Sequence, residues 1–278
     1  MKQSCKGIPY FQDDGSVEVD ELWRNKWSKE RVHTKLPLPK ERPVSKNYVR
    51  FVCISDTHDK LGKILHKIPD GDVLLHAGDF TSYGDEEEII KFDEQLGTLP
   101  HEYKIVIAGN HELGFDWTED ESLRGRADRG RGTKDGYELL NNCIYLQDFT
   151  VEVFGIKVWG SPWHPLPGFP FSVPRGEPLA KKWDQIPADT DVLLTHTPPL
   201  GHSDLFKCRQ HWGCADLLET IEKRVKPAYH VFGHIHENHG WTTNGTTTFI
   251  NASICNYSNE ILNGPTFFDI PLPPGYKK

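Results

Sequence analysis

Five short apolar runs recur along the chain, and each stops abruptly: YVRFVCIS (48–55), DVLLHAG (72–78), YKIVIAG (103–109), DVLLTH (191–196) and YHVFG (229–233). Near-continuous apolarity over such lengths predicts strands covered on both faces, because a strand with one wet face alternates instead. Helical spacing lies between them. DEEEIIKFDEQL (85–96) sets Ile89, Phe92 and Leu96 on one stripe behind an acidic first turn. CADLLETIEKRV (214–225) does the same with Leu217, Leu218, Ile221 and Val225. Repetition of strand, helix, strand predicts an α/β fold with a largely parallel sheet. TVEVFGIKVWG (150–160) alternates about Phe154-Gly155 as a hairpin does, and TTTFINAS (246–253) and GPTFFDI (264–270) read as further strands. These additions predict a second, mixed sheet, giving two packed sheets with helices outside.

Two stretches break the pattern. Residues 1–47 are polar and punctuated by KLPLPKERP, with Trp23 and Trp27 as anchors, and read as an arm packed on a single domain spanning 48–278. The segment TEDESLRGRADRGRGTKDG (118–136) carries Arg124, Arg126, Arg129 and Arg131. It is either a mobile, solvated loop or a basic lid over an anionic substrate.

Composition narrows the function classes. Charged residues are 26% and apolar ones 37% of 278, proportions of a folded globular chain. A formal charge of −8 opposes sequence-independent binding to nucleic acid or anionic lipid. No apolar run exceeds four residues, so no bilayer span is expected, and MKQSCKGIPYF lacks an apolar leader. The six cysteines are scattered without framework spacing, which predicts free thiols and a cytoplasmic location. Cys208 and Cys214 flank RQHWG closely enough to pair or to share a metal. Oligomeric state has no signature in the sequence.

The chemistry sits where the strands end. Asp56-Thr57-His58 follows the first run, Asp79 the second, Asn110-His111-Glu112 the third, His196 ends the fourth, and His234 and His236 follow the fifth. Carboxyl ends of strands in an α/β sheet line one crevice, so residues up to 180 positions apart can meet. Two carboxylates, a carboxamide and four imidazoles exceed the needs of one metal and suit two, with one carboxylate bridging. Such mixed oxygen and nitrogen donors fit Mn foremost, with Fe, Zn, Co or Ni as alternatives. Two metals about 3.5–4 Å apart are a recurring device for hydrolysing phosphate esters. His76, inside its strand, reads as a packed core residue, and Glu112 as an orienter of its neighbours. Trp163-His164, after another strand-like run, are candidates for substrate binding.

The blocks D-x-H, G-D, G-N-H-E, a lone His after a strand, and G-H-x-H resemble the calcineurin-like metallophosphoesterase superfamily. RFVCISDTH, YKIVIAGNHE, NNCIYLQD, PPLG and INAS are similar to the metallophosphoesterase domain-containing proteins of the class III cyclic nucleotide phosphodiesterase group, over roughly 48–272. The resemblance implies a four-layer α/β/β/α sandwich. It implies that Asp56, His58 and His236 hold one metal, that Asn110, His196 and His234 hold a second, and that Asp79 bridges them. His111 matches the catalytic histidine, assisting the leaving group as a metal-bridging hydroxide attacks, with Asp79 counted in the catalytic set. Asn110 would also touch substrate. The implied substrate is a small phosphodiester, such as a 2′,3′- or 3′,5′-cyclic nucleotide. GDFTSYG departs from the D-R-G of protein Ser/Thr phosphatases and argues against a phosphoprotein substrate. Some members of the resembled group carry Gly at the position of His234, which points to a second possibility, a slow nucleoside monophosphate-binding regulator. This chain keeps all seven ligand positions.

Overall fold

The computed structural model describes residues 16–206 and 209–278. Cys5 and Cys208 lie outside the described residues. The chain begins with α1 (Ser16–Leu22), a π-helical turn (Trp23–Trp27), α2 (Ser28–Glu30), β1 (Thr34–Leu36), β2 (Tyr48–Ile54) and β3 (Val73–His76). It continues through α3 (Glu86–Gly97), β4 (Tyr103–Val106), β5 (Ile144–Tyr145), β6 (Phe149–Val153), β7 (Ile156–Ser161) and α4 (Glu177–Trp183). Then come β8 (Val192–Thr195), α5 (Ala215–Thr220) with its π-helical extension Ile221–Val225, and β9 (Tyr229–Phe232). The last strands are β10 (Gly240–Thr243), β11 (Thr248–Asn251) and β12 (Thr266–Pro271).

Strand order explains the apolar runs. Five strands form one mixed sheet in the order β12-β2-β3-β4-β5, and seven form another, β1-β10-β11-β9-β8-β7-β6. Val49, Phe51, Val73, Leu75, Ile105, Val158, Val192, Leu194, Val231 and Ile250 share one buried cluster between the sheets. Their neighbours Val52, Ile54, Leu74, Val106, Trp159, Leu193, Phe232 and Phe249 belong to a second cluster with helical residues such as Phe92, Leu96, Trp183 and Leu217. Each central strand is thus covered by a sheet on one face and helices on the other, the four-layer α/β/β/α arrangement. Burying each such Val, Leu, Ile or Phe contributes roughly 1.5–3 kcal/mol.

The hairpin at 150–160 forms with Val153 opposite Ile156. Phe154 (φ 53°) and Gly155 (φ 76°) take the left-handed backbone that two-residue hairpin turns require. The five runs do not lie in one sheet. β2, β3 and β4 run parallel in the smaller sheet, while β8 and β9 run parallel in the larger. Their carboxyl ends meet across the sandwich, where Ser55 bridges Ser253 and His234 N–H donates to Asp56 Oδ1 at 3.0 Å.

The arm is more structured than its composition suggests. Trp23 and Trp27 are buried in the helix-side core, and β1 adds an antiparallel edge to β10. The arginine-rich segment is fastened down at two of its four arginines. Arg124 is buried and pairs with Glu119 at 2.6 Å, and Arg131 pairs with Asp85 while covering the Tyr83 ring at 3.9 Å.

Candidate metal centre

Site residues leave the strand ends in strained backbone. Asp56 (φ 52°), His58 (φ 40°), Asp79 (φ 54°) and His234 (φ 69°) all lie in the left-handed region, which disfavours residues with a Cβ. Such strain persists where surrounding contacts over-determine it, and it concentrates at functional sites. The glycines before two of the motif residues have a steric reason. A Cβ on Gly109 would lie 2.3 Å from Asp79 Oδ1, and one on Gly233 would lie 2.2 Å from Asp56 Oδ2. The G-N and G-H pairs therefore record how closely the backbone approaches the carboxylates.

Asp56, His58, Asp79 and His236 each bring one ligand atom within 4.8 Å of the others. His58 Nε2 and His236 Nε2 are 3.3 Å apart, and His236 Nε2 is 3.2 Å from Asp56 Oδ1. A second set adjoins the first. His196 Nε2 lies 3.0 Å from Asn110 Oδ1 and 3.4 Å from Asp79 Oδ2, and His234 Nδ1 lies 2.8 Å from Asn110 Oδ1. Asp79 Oδ2 is also 3.9 Å from His58 Nε2, so one carboxylate oxygen stands between the two sets. The structure brings together all seven residues singled out at the strand ends.

The donor chemistry fits divalent cations. His196 Nδ1–H donates to Ala77 O and His236 Nδ1–H to Asn256 O, both at 2.8 Å, which fixes each tautomer with the Nε2 lone pair aimed inward. Asp56 accepts from Ser253 Oγ at 2.7 Å and from His234 N–H at 3.0 Å. Burial drives His58 down to about 3 and holds His234 well below the usual histidine range. Burial also opposes charge on His196 and His236, but Asp79 and Asp56 respectively raise these to about 9. The paired carboxylates thus demand positive charge in the place where the nitrogen donors converge.

Glu112 underpins the loop. Its carboxylate accepts from Asp79 N–H (2.9 Å), Gly109 N–H (2.6 Å), Thr81 N–H (2.9 Å) and Thr81 Oγ (2.9 Å). Burial and the Asp79 charge push its acid up to about 8, against these four bonds. A Glu112→Gln amide can satisfy only one pair of these donors and points an NH₂ at the other. The variant is expected to bind Mn about 10–100-fold more weakly, measured by calorimetric titration.

A cavity of about 370 Å³ opens over the centre. Asp79, Asn110, His111, His234 and His236 form its floor, and Tyr83, Leu166, Phe169, Phe206, Trp212 and Tyr257 stand around it with Asp128 and Glu237. His111 Nδ1–H donates to Ser82 O at 2.8 Å, leaving Nε2 for the cavity. None of the four arginines of the 118–136 segment is among the lining residues; that segment contributes Ala127 and Asp128. His164 and Trp163 stand outside this lining. His164 is buried behind His234 with ring centroids 5.8 Å apart, its two nitrogens engaged by Pro170 O and Leu166 N–H. Trp163 donates to Asp148 Oδ2 at 2.7 Å beneath the Lys182 ammonium. Sequence reasoning missed the aromatic surround and the role of Ser253, which ends the INAS block.

Fold and donor set together define a metal-dependent hydrolase. Residues 49–238 match the family model described as Calcineurin-like phosphoesterase. The chain belongs to that family and is a phosphoesterase, of a class that uses divalent metals. It is 55% identical over 251 residues to UPF0046 protein C25E10.12 of Caenorhabditis elegans, covering 87% of this chain and 88% of the relative. It is 48% identical over 248 residues to human metallophosphoesterase domain-containing protein 1, covering 85% and 76% respectively. The solved purple acid phosphatase PPD1 of yellow lupin seeds aligns at TM-score 0.43 and 15% identity, over 76% of this chain and 45% of that one. Among the described residues, no helix is long and apolar enough to cross a membrane.

Proposed function

We propose that this phosphoesterase hydrolyses small phosphodiesters, foremost 2′,3′- or 3′,5′-cyclic nucleotides, at a centre of two divalent ions with Mn as the resident metal. Asp56, His58 and His236 would hold one ion and Asn110, His196 and His234 the other, with Asp79 placed to serve both. The observation that carries this reading is the position of Asp79 Oδ2 within 3.9 Å of Nε2 atoms from both sets, on the floor of an aromatic-sided cavity. Divalent ions there supply Lewis-acid polarisation of the phosphoryl oxygens and acidify water toward neutral pH.

The chain's own groups select the substrate. A volume of about 370 Å³ suits a nucleotide-sized ligand. Tyr83, Phe169, Phe206, Trp212 and Tyr257 offer ring faces and edges to a base. Asp128 places a carboxylate in the same lining, which penalises a second charge on the substrate. A phosphodiester carries one charge where a monoester carries roughly 1.5–2 near neutral pH, so the diester is favoured. His111, lining the cavity beside Asp79, protonates the departing alkoxide. Cys53, Cys143, Cys214 and Cys255 are free thiols, which supports a reducing, cytoplasmic setting.

The test is a substrate panel on metal-stripped protein restored with Mn. Hydrolysis of 2′,3′-cyclic AMP is expected to return with the metal and to exceed hydrolysis of p-nitrophenyl phosphate, a monoester. A restored sample that cleaves only the monoester would overturn the diester reading. Tight AMP binding with negligible turnover would instead mark a nucleotide-responsive regulator.

A further inference from the structure

The aromatic side of the cavity is built by a loop that the arm holds from behind. Phe206 and Trp212 stack with ring centroids 3.9 Å apart, and Tyr257 meets Phe206 edge-on at 5.6 Å. Phe206 and Trp212 belong to the excursion between β8 and α5, which is fastened from several sides. From the domain, Arg175 donates to Trp212 O and Gly213 O, and Asn238 donates to Leu205 O at 2.9 Å. Asp204 closes the loop on itself, accepting from Gly201 N–H (2.9 Å), Gly213 N–H (3.0 Å) and His211 Nδ1 (2.6 Å).

The backbone between these points is held by the arm. Asp20 accepts from His211 N–H at 2.8 Å, and Arg24, itself paired with Asp20, donates to Arg209 O. Trp23 is buried between them, its ring 5.6 Å from His211 and packed on Gly201. A Cβ at Gly201 would lie 2.1 Å from the Trp23 ring, so the indole occupies the space that the missing side chain leaves. None of the described arm residues 16–47 lines the cavity itself. Asp20, Trp23 and Arg24 therefore act on the residues flanking Trp212 without meeting the substrate.

We infer that the N-terminal arm is a positioning element for substrate selection: Asp20, Trp23 and Arg24 brace Gly201, Arg209 and His211 so that Phe206 and Trp212 present a stacking surface to a nucleobase. The inference rests on the nucleotide reading of the cavity and adds the part of the chain that tunes it. Loosening the brace lowers affinity for the base and leaves the chemistry at the metal centre unchanged.

The experiment compares two five-membered cyclic diesters on full-length, Mn-restored protein: 2′,3′-cyclic AMP, and glycerol 1,2-cyclic phosphate, which has no base. In Trp23→Ala the KM for 2′,3′-cyclic AMP is expected to rise roughly tenfold, the lower end of the value of a stacking platform, with kcat unchanged. KM for the glycerol compound should stay at the wild-type value, and calorimetric AMP binding should weaken by the same factor of about ten. Asp20→Ala, which removes the His211 anchor without opening a large cavity, should shift KM in the same direction and carries the test if Trp23→Ala fails to fold. Trp212→Ala should reproduce the effect, and adding Trp23→Ala to it should change little, since both act on one surface. A folded variant with wild-type KM for 2′,3′-cyclic AMP overturns the brace, as does an equal loss on both substrates. If wild-type protein itself treats the two diesters alike, the nucleotide reading fails, and this inference with it.

Discussion

Asp79→Asn is expected to cut diester turnover by at least about 10³-fold, the largest loss from any isosteric change in the site. The figure follows from several kcal/mol of charge stabilisation at a two-ion centre, with each 1.36 kcal/mol worth tenfold in rate. The replacement is conservative in shape. Asp79 Oδ1 accepts the His111 N–H at 2.9 Å, and an amide oxygen can keep that bond and with it the local turn. What disappears is the negative charge between His58 and His196, whose oxygen faces nitrogen donors of both sets. Two ions brought close together repel strongly, and a neutral amide cannot offset that repulsion. Metal analysis should therefore find at most one tightly held Mn per chain, and the Mn-dependent rise in melting temperature should shrink. Without metal the variant loses the attraction of Asp79 for His196 along with its repulsion from Asp56, so a lower melting temperature is expected and metal content is compared on folded protein. A variant retaining two ions and wild-type turnover would show that Asp79 does not bridge.

The centre was legible in sequence because burial on both faces leaves a strand few polar positions, and no carboxylate, until it ends. In VLLH, Val73, Leu74, Leu75 and His76 are all buried, and the next carboxylate, Asp79, is already the site. The abrupt change from apolar to ligand-bearing residues therefore marks the strand's end and the crevice together. Division of those strands between two sheets was not legible, since VLLT of β8 and VLLH of β3 have the same pattern and differ only in their partners. β1 was hidden for the opposite reason. Thr34, Lys35 and Leu36 form an edge strand with largely exposed side chains, so no apolar signal accompanies the pairing with β10. The arginine segment misled because charge in sequence does not reveal its partners: Arg124 meets Glu119 five residues away, but Arg131 meets Asp85 across 46. The aromatic surround comes from several separate loops, and nothing local in any of them announces a common cavity.

His111→Ala is the complementary experiment, because it separates holding metal from moving a proton. The His111 ring stands edge-on to His58 at 4.8 Å and lies 5.9 Å from Phe169, on the floor of the cavity. Its Nδ1–H is committed to Ser82 O, so Nε2 is the atom that can carry a proton to the substrate. The backbone of the same residue acts separately, since His111 N–H donates to Asp79 Oδ1, an interaction that alanine retains. The side chain can thus be removed while the Asp79 carboxylate stays oriented. Turnover of 2′,3′-cyclic AMP is expected to fall about 10²–10⁴-fold, with metal content unchanged. The size of the loss should follow the leaving group. A diester with a p-nitrophenolate leaving group needs little protonation and should lose far less rate than one expelling a ribose alkoxide. Equal losses on both would assign His111 to phosphate binding, and loss of metal from the variant would make it a ligand. A leaving-group-dependent loss at constant metal content would identify His111 as the general acid.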